Sequence, residues 1–305
     1  MQVSQLAPGI FYFKHLLSEQ ECLDMIHHGE RLNTFQSVPP TGSGNKNSLV
    51  WCGVNANEVR NNQRIILEST LFSREWSERL YDRIALHLPQ DLTFRLRALP
   101  EEVNRADVCP NVEKALEWKL CSVSDKFRLY KYEKKQHFLK HFDGTNKRIL
   151  SQLTSDISDK KEEFVKAQYV EQSFLTMLIY LNSVQDGGET QFFDYYSKKE
   201  TFQVKPERGS ALVFCHEMLH QGNDVLSGVK YLLRTDVCYM KKKDIVESSR
   251  YVNPKTLKDP SRIKEVSNQQ QKKQKTRSYA SLPEGRYHVG DWQIMYHPSC
   301  QLYTD

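Results

Sequence analysis

FRLYKYEKKQHFLKHFDG, residues 127–144, opens the part of the chain from which the fold is read. Two apolar, aromatic-rich runs, FRLYKY and HFLKHFD, flank a polar EKKQ, the pattern of two strands joined by a turn. His141 and Asp143 stand two residues apart, so on a strand both side chains point to one face, toward one ion. Similar short runs follow: SFLTMLIYLN (173–182), TQFFDYY (190–196), TFQVK (201–205), SALVFC (210–215) and YLLRTDVCY (231–239), separated by Gly, Asn, Asp or Pro. Many short strands with turn signals between them predict a β-sandwich or barrel.

Upstream the pattern is helical. LSEQECLDMIHHGERL (17–32) places Glu21 three residues after Ser18, a capping box ahead of Cys22, Leu23, Met25 and Ile26. Phe72, Trp76, Leu80, Ile84 and Leu88 recur every four residues before Pro89, a second amphipathic helix whose apolar stripe should lie on the sheet. Residues 1–125 are therefore read as a helical support for a strand core over 126–243. Between two of the strands, Thr145–Gln172 is polar and too long for an ordinary hairpin, and is read as either a lid or a helical insertion. Residues 244–305 are a basic, polar linker followed by an aromatic segment, RYHVGDWQIMYHPSCQLY, expected to dock back on the core. His288, His297 and Cys300 there fit no zinc spacing.

The 305 residues, 39% hydrophobic and 27% charged, suffice for one main domain with an appendage. The net charge of +5 is concentrated late, in Lys241–Lys243 and in Gln269–Arg277, which weakens an argument for nucleic-acid binding by the whole protein. No apolar run approaches the ~18 residues of a membrane span, and the first residues lack the pattern of a secretory signal, so an intracellular protein, cytoplasmic or nuclear, is expected. Seven widely spaced cysteines without a C-x-x-C read as free thiols.

HEMLH, residues 216–220, matches the zinc-hydrolase pattern H-E-x-x-H, which requires a helix to bring both histidines to one face. Here the motif follows the buried strand SALVFC and meets Gly222 two residues later, so little helix can form. Asn223 and Leu226 occupy the positions where an extended motif would need Gly and His. The competing use of His220 is as the third member of a two-histidine, one-carboxylate set with His141 and Asp143, which would leave open positions on an octahedral metal. Lys230 begins the next apolar strand; a cation buried there is costly unless an anion meets it, and a dicarboxylic cosubstrate chelating the metal at its other end would supply one.

Residues 127–239 resemble the iron(II)- and 2-oxoglutarate-dependent dioxygenases, in particular the branch similar to prolyl 4-hydroxylase catalytic domains. The likeness is carried by FRLYKYEKKQHFLKHFDG, SFLTMLIYLN, GGETQFF, GSALVFCHEMLHQG and GVKYLLRTDVCY, in the family's order, and with RNNQRIIL (60–67) it extends over roughly Ala7–Met240. The resemblance implies a double-stranded β-helix, or jelly roll, with His141, Asp143 and His220 as iron ligands and Lys230 facing the distal carboxylate of 2-oxoglutarate. Tyr132 matches a tyrosine that hydrogen-bonds the same cosubstrate. Arg234, four residues past Lys230 on the same strand face, is expected to reach the cosubstrate's other carboxylate or Asp143, or else to form a structural ion pair. His137 and His216 have no ligand counterpart. One departure stands out: the family's turn before the metal strand carries a glycine near Lys135.

Implied with the fold are Fe(II), 2-oxoglutarate and dioxygen, activity supported by ascorbate, and hydroxylation with release of succinate and carbon dioxide. The implied substrate is a peptidyl proline or other amino-acid side chain, with small molecules and a nucleic-acid base as alternatives. A non-catalytic jelly-roll binding module for protein or nucleic acid is the runner-up, and an HExxH zinc hydrolase the third reading.

Overall fold

The computed structural model describes residues 1–32, 34–37, 60–68, 70–106, 109–156, 163–242, 285–289 and 292–296. The front begins with an antiparallel pair, β1 (Gln2–Ala7) and β2 (Ile10–Lys14), followed by helix α1 (Glu19–Leu32). The Ser18 box forms: Glu21 N–H donates to Ser18 Oγ at 3.2 Å and Ser18 N–H to Glu21 Oε2 at 2.8 Å. Strands β3 (Gln36–Ser37) and β4 (Gln63–Leu67) precede α2 (Leu71–Ile84), which a Thr70/Ser73 capping box opens and whose Trp76, Leu80 and Ile84 are buried. Three short helices follow, α3 (Arg95–Ala98), α4 (Glu101–Ala106) and α5 (Val112–Leu116), and then β5 (Lys119–Val123).

The core consists of β6 (Phe127–Tyr132), β7 (Phe138–His141), β8 (Lys147–Asp156), β9 (Glu163–Tyr180), β10 (Asp186–Gly187), β11 (Thr190–Phe193), β12 (Glu200–Val204), β13 (Ala211–Cys215), β14 (His220–Gly222), β15 (Val225–Ser227) and β16 (Lys230–Lys242). A large sheet runs β1-β2-β13-β9-β16-β6-β4-β3, and a smaller one β12-β11-β14-β7. The chain passes from β6 in the large sheet to β7 in the small one, back to β9, across to β11 and β12, back to β13, across to β14 and back to β16. That alternation between two antiparallel sheets is the double-stranded β-helix anticipated from the sequence.

Period-two alternation sorts the large sheet's side chains between two cores. On β13, Ala211, Val213 and Cys215 pack toward the helices with Trp76, Leu80 and Trp118, while Leu212 and Phe214 face the interior between the sheets with Tyr130, Tyr180 and Phe192. Because both faces are covered, this strand is a continuous apolar run rather than an alternating one. On β16 the same periodicity sends Leu233 and Val237 outward and Leu232 inward, so Lys230 and Arg234, two residues either side of Leu232, point between the sheets. The strand interior is where the site has to form.

Two sequence expectations are corrected. Residues 1–125 are a mixed support, since β1 to β5 all join the large sheet, β2 against β13 and β4 against β6. Within Thr145–Gln172 the described residues are paired strands and not a helical insertion: β8 pairs with β9 from Lys147↔Gln172 to Asp156↔Glu163, with residues 157–162 outside the described residues. β9 continues because β16 runs beside it as far as Lys242↔Tyr169, so its backbone groups find partners on both sides where a helix would leave the edge open. In the terminal segment, β17 (Gly285–Val289) and β18 (Trp292–Tyr296) form an antiparallel hairpin, while the linker and residues 297–305 lie outside the described residues. Five cysteines, Cys22, Cys109, Cys121, Cys215 and Cys238, are buried; Cys52 and Cys300 lie outside the described residues. Among the described residues no helix is long and apolar enough to cross a membrane.

Candidate metal centre

β7 and β14 are neighbours in the small sheet, and their register sets His141 directly opposite His220. His141 closes β7, Asp143 follows it by two residues, and His220 opens β14. One ligand atom from each lies within 4.8 Å of the others. His141 Nε2 is 3.8 Å from Asp143 Oδ1, and His220 Nε2 is 3.7 Å from Oδ2.

The histidines are oriented the same way by the same local device. His141 Nδ1 lies 2.7 Å from the Leu139 carbonyl and His220 Nδ1 lies 2.9 Å from the Met218 carbonyl. A carbonyl only accepts, so Nδ1 carries the proton on both rings and the bare Nε2 lone pairs face Asp143. Burial pushes both imidazole pKa values down, for His141 with the nearby His220 adding to it, and keeps the rings neutral. The His141 ring stacks on Phe138 at 3.5 Å between centroids, and His220 meets Phe214 edge-on at 4.7 Å, which fixes both rotamers. Burial alone would raise the Asp143 pKa. The Arg234 guanidinium, 3.0 Å away, overcomes it and holds the carboxylate ionised, far below its ordinary range.

A cleft joins this triad to Lys230, lined by Tyr130, Tyr132, Leu178, Leu232 and Arg234. Lys230 stands opposite Tyr132 across the β16/β6 pair. Only 1% of it is exposed, and Nζ donates to the Gly188 carbonyl at 2.6 Å with the Tyr132 and Tyr180 rings at 5.2 and 5.6 Å. Among the described residues it makes no salt bridge. Burial accordingly pushes its pKa down to about 7. Burial also raises the Tyr132 phenol well above its ordinary value, so it stays protonated and available as a donor.

Each singled-out residue is thereby placed. His141, Asp143 and His220 converge, and Lys230, Tyr132 and Arg234 line the same cleft. Of the alternatives open for Arg234, the contact with Asp143 forms, and a weaker one runs to Asp236 Oδ1 at 3.5 Å. His137 pairs instead with Asp224 at 3.0 Å. His216 and His220 sit on a turn and a strand rather than on one helix, and Glu217 bonds to the buried Arg95 at 3.2 Å. The protease reading of HEMLH has no geometry behind it. At Lys135 the turn keeps the glycine-like conformation, with φ of 65°. Phe138 and Thr190 also line the cleft and were not singled out, because nothing local separates them from ordinary strand residues.

The family model described as 2OG-Fe(II) oxygenase superfamily matches residues 127–235, which span β6 to Thr235 and contain every cleft residue named above. Over that segment the chain is similar to the superfamily. Solved structures resemble the chain at low identity. A 2-oxoglutarate complex of the viral collagen prolyl hydroxylase from Paramecium bursaria Chlorella virus-1 is 17% identical, with TM-score 0.37, over 75% of this chain and 96% of that one. A Trichoplax adhaerens prolyl hydroxylase, in complex with a hypoxia inducible factor peptide fragment, is 13% identical, with TM-score 0.41, over 75% and 83%. HygX from Streptomyces hygroscopicus, with nickel, 2-oxoglutarate and hygromycin B bound, is 12% identical, with TM-score 0.36, over 76% and 82%. No curated protein matches the chain.

Proposed function

We propose that residues 1–243 form an Fe(II)- and 2-oxoglutarate-dependent hydroxylase acting on a peptidyl proline or another amino-acid side chain. The observation that carries this reading is one cleft holding two bare imidazole Nε2 atoms and an ionised carboxylate at one end and, at the other, a buried Lys230 that makes no salt bridge among the described residues. Two nitrogens and one carboxylate oxygen suit iron(II) in a three-ligand site with open positions. The cost of burying Lys230 is offset once a carboxylate occupies the cleft. Iron(II) with 2-oxoglutarate supplies the oxidative decarboxylation that consumes dioxygen, gives succinate and carbon dioxide, and places the second oxygen atom on a substrate carbon.

The chain's own residues do the rest. His141, Asp143 and His220 hold the metal, Lys230 neutralises the distal carboxylate of the cosubstrate, and the Tyr132 phenol donates a hydrogen bond to it. Leu178, Leu232 and Phe138 keep the cleft walls apolar, which strengthens those contacts by excluding water. The likeness of the motifs to prolyl 4-hydroxylase catalytic domains supports a peptide substrate, with a small molecule as the alternative. A pure binding module has no physical need for an ionised carboxylate, two oriented imidazoles and a buried lysine in one cleft.

The test is succinate formation by iron-reconstituted protein with 2-oxoglutarate and ascorbate in air, with and without a library of proline-containing peptides. His141→Ala and Lys230→Ala should each remove turnover, and one peptide should raise it and gain 16 mass units, by the ~16 Da of one oxygen atom transferred. Absence of turnover together with absence of 2-oxoglutarate binding by calorimetry overturns the assignment.

A further inference from the structure

His216, the first histidine of HEMLH, is fully buried and lies outside the triad, yet it is tied to it twice. Its carbonyl accepts the Asp143 backbone N–H at 2.9 Å. Its ring reaches the Asp143 carboxylate through one intermediary, Thr176, toward the C-terminal end of β9. The Thr176 hydroxyl is 2.5 Å from Asp143 Oδ2 and 2.8 Å from His216 Nδ1, and His216 Nε2 is 3.0 Å from Ser173 Oγ, which accepts the Asn146 backbone N–H at 2.8 Å.

Proton bookkeeping gives this chain of bonds a single direction. An ionised carboxylate only accepts, so the Thr176 proton goes to Asp143 Oδ2. Thr176 Oγ must then accept from His216, so Nδ1 carries the ring proton. Burial lowers the His216 pKa, so the ring is neutral, Nε2 is bare, and the Ser173 hydroxyl donates to it. Ser173, Thr176 and His216 are all fully buried, which leaves no water to replace a lost member. The other carboxylate oxygen, Oδ1, is held by Arg234, whose second partner Asp236 accepts from the Asn146 side chain at 2.8 Å. Both arms therefore end on Asn146, three residues after Asp143, and the carboxylate cannot rotate without breaking one of them.

Resting on the metal reading above, we propose that His216 is a positioning residue that acts through Thr176 to fix the plane of the Asp143 carboxylate for the metal. Groups hydrogen-bonded to a metal-binding carboxylate govern metal affinity, with losses of about 10- to 100-fold when they are removed. A merely structural histidine would change the stability of the metal-free protein and leave the affinity of the folded protein alone.

The experiment measures manganese(II) binding to the full chain, without cosubstrate, from depletion of the free-ion paramagnetic resonance signal. Alongside it, thermal melting of each metal-free variant is recorded. Thr176→Val, which keeps the shape and removes both bonds, and His216→Leu should each weaken binding by about tenfold or more. Thr176→Ser, which keeps the hydroxyl, and His216→Asn, whose amide N–H substitutes for Nδ1–H, should stay within about threefold of the parent. If His216→Leu does not fold, the Thr176 pair decides alone. Thr176→Val that folds and binds manganese within about threefold of the parent overturns the positioning role. A parent protein that binds no manganese overturns the metal reading itself, and this role with it.

Discussion

Lys230 shows how a single side chain can be expensive in one state and useful in another. Its only hydrogen-bond partner among the described residues is the neutral Gly188 carbonyl, and burial brings its pKa down to about 7. Below pH 7 the empty cleft therefore holds an ammonium group, and above it mostly a neutral amine. A carboxylate arriving beside it raises the pKa again, so binding between pH 7.5 and 9 should take up close to one proton, and affinity should fall toward tenfold per unit as pH rises. Calorimetry of 2-oxoglutarate binding in two buffers of different ionisation heat reads the proton count directly; Lys230→Met should abolish both the uptake and the pH slope. His141 and His220 carry no such dependence here, since burial keeps both neutral through this range.

At the scale of elements, the turns that bracket the cleft are held by backbone conformation. Lys135, between β6 and β7, has φ of 65° and its N–H donates to the Val225 carbonyl at 2.8 Å. A left-handed backbone costs a residue with a Cβ roughly 1–2 kcal/mol, partly returned by the lower unfolded-state entropy relative to glycine. Lys135→Gly is expected to stabilise the protein by about 0.5–1 kcal/mol, measured by denaturant unfolding, with the metal site untouched. Gly187 is the opposite case. With φ of 76°, a Cβ there would lie 2.2 Å from the Asp224 carbonyl oxygen, a contact with rigid backbone. Gly187→Ala should cost at least about 2 kcal/mol and disturb the neighbouring Gly188 carbonyl that holds Lys230. Helix α2 is more tolerant: Thr70→Ala removes its capping box and should lower stability by about 1 kcal/mol without affecting binding.

For the molecule as a whole, the two sheets meet their cleft through residues drawn from six strands, so occupying the cleft should stabilise the entire fold. Ligands that bind only the native state add about 2.7 kcal/mol at a hundredfold excess over Kd. Manganese(II) with 2-oxoglutarate should therefore raise the melting temperature of the parent by several degrees, and do so far less for His141→Ala; scanning calorimetry provides the comparison. The long β8/β9 pair belongs to this scale too. Its place in the large sheet depends on β16 extending beside it to Lys242, a pairing between residues about seventy apart in sequence.

The sequence by itself determined the main strands of the core apart from β8, and the faces of β7 and β16. Each of these is a local matter, because side-chain direction repeats every two residues along a strand. It also marked the two capped or periodic helices, whose spacing of four is equally local. Only the tertiary structure decided what stands opposite what. The β7/β14 register sets His220 opposite His141, and the β6/β16 register sets Lys230 against Tyr132. The β1/β2 and β8/β9 pairs escaped the sequence reading because their partners, β13 and the far end of β16, supply the backbone bonds that make them strands. Thr176 and His216 escaped for the same reason. A hydroxyl within an apolar strand looks ordinary until another strand brings a carboxylate to 2.5 Å, and hydrogen bonds between distant residues leave no periodicity along the chain.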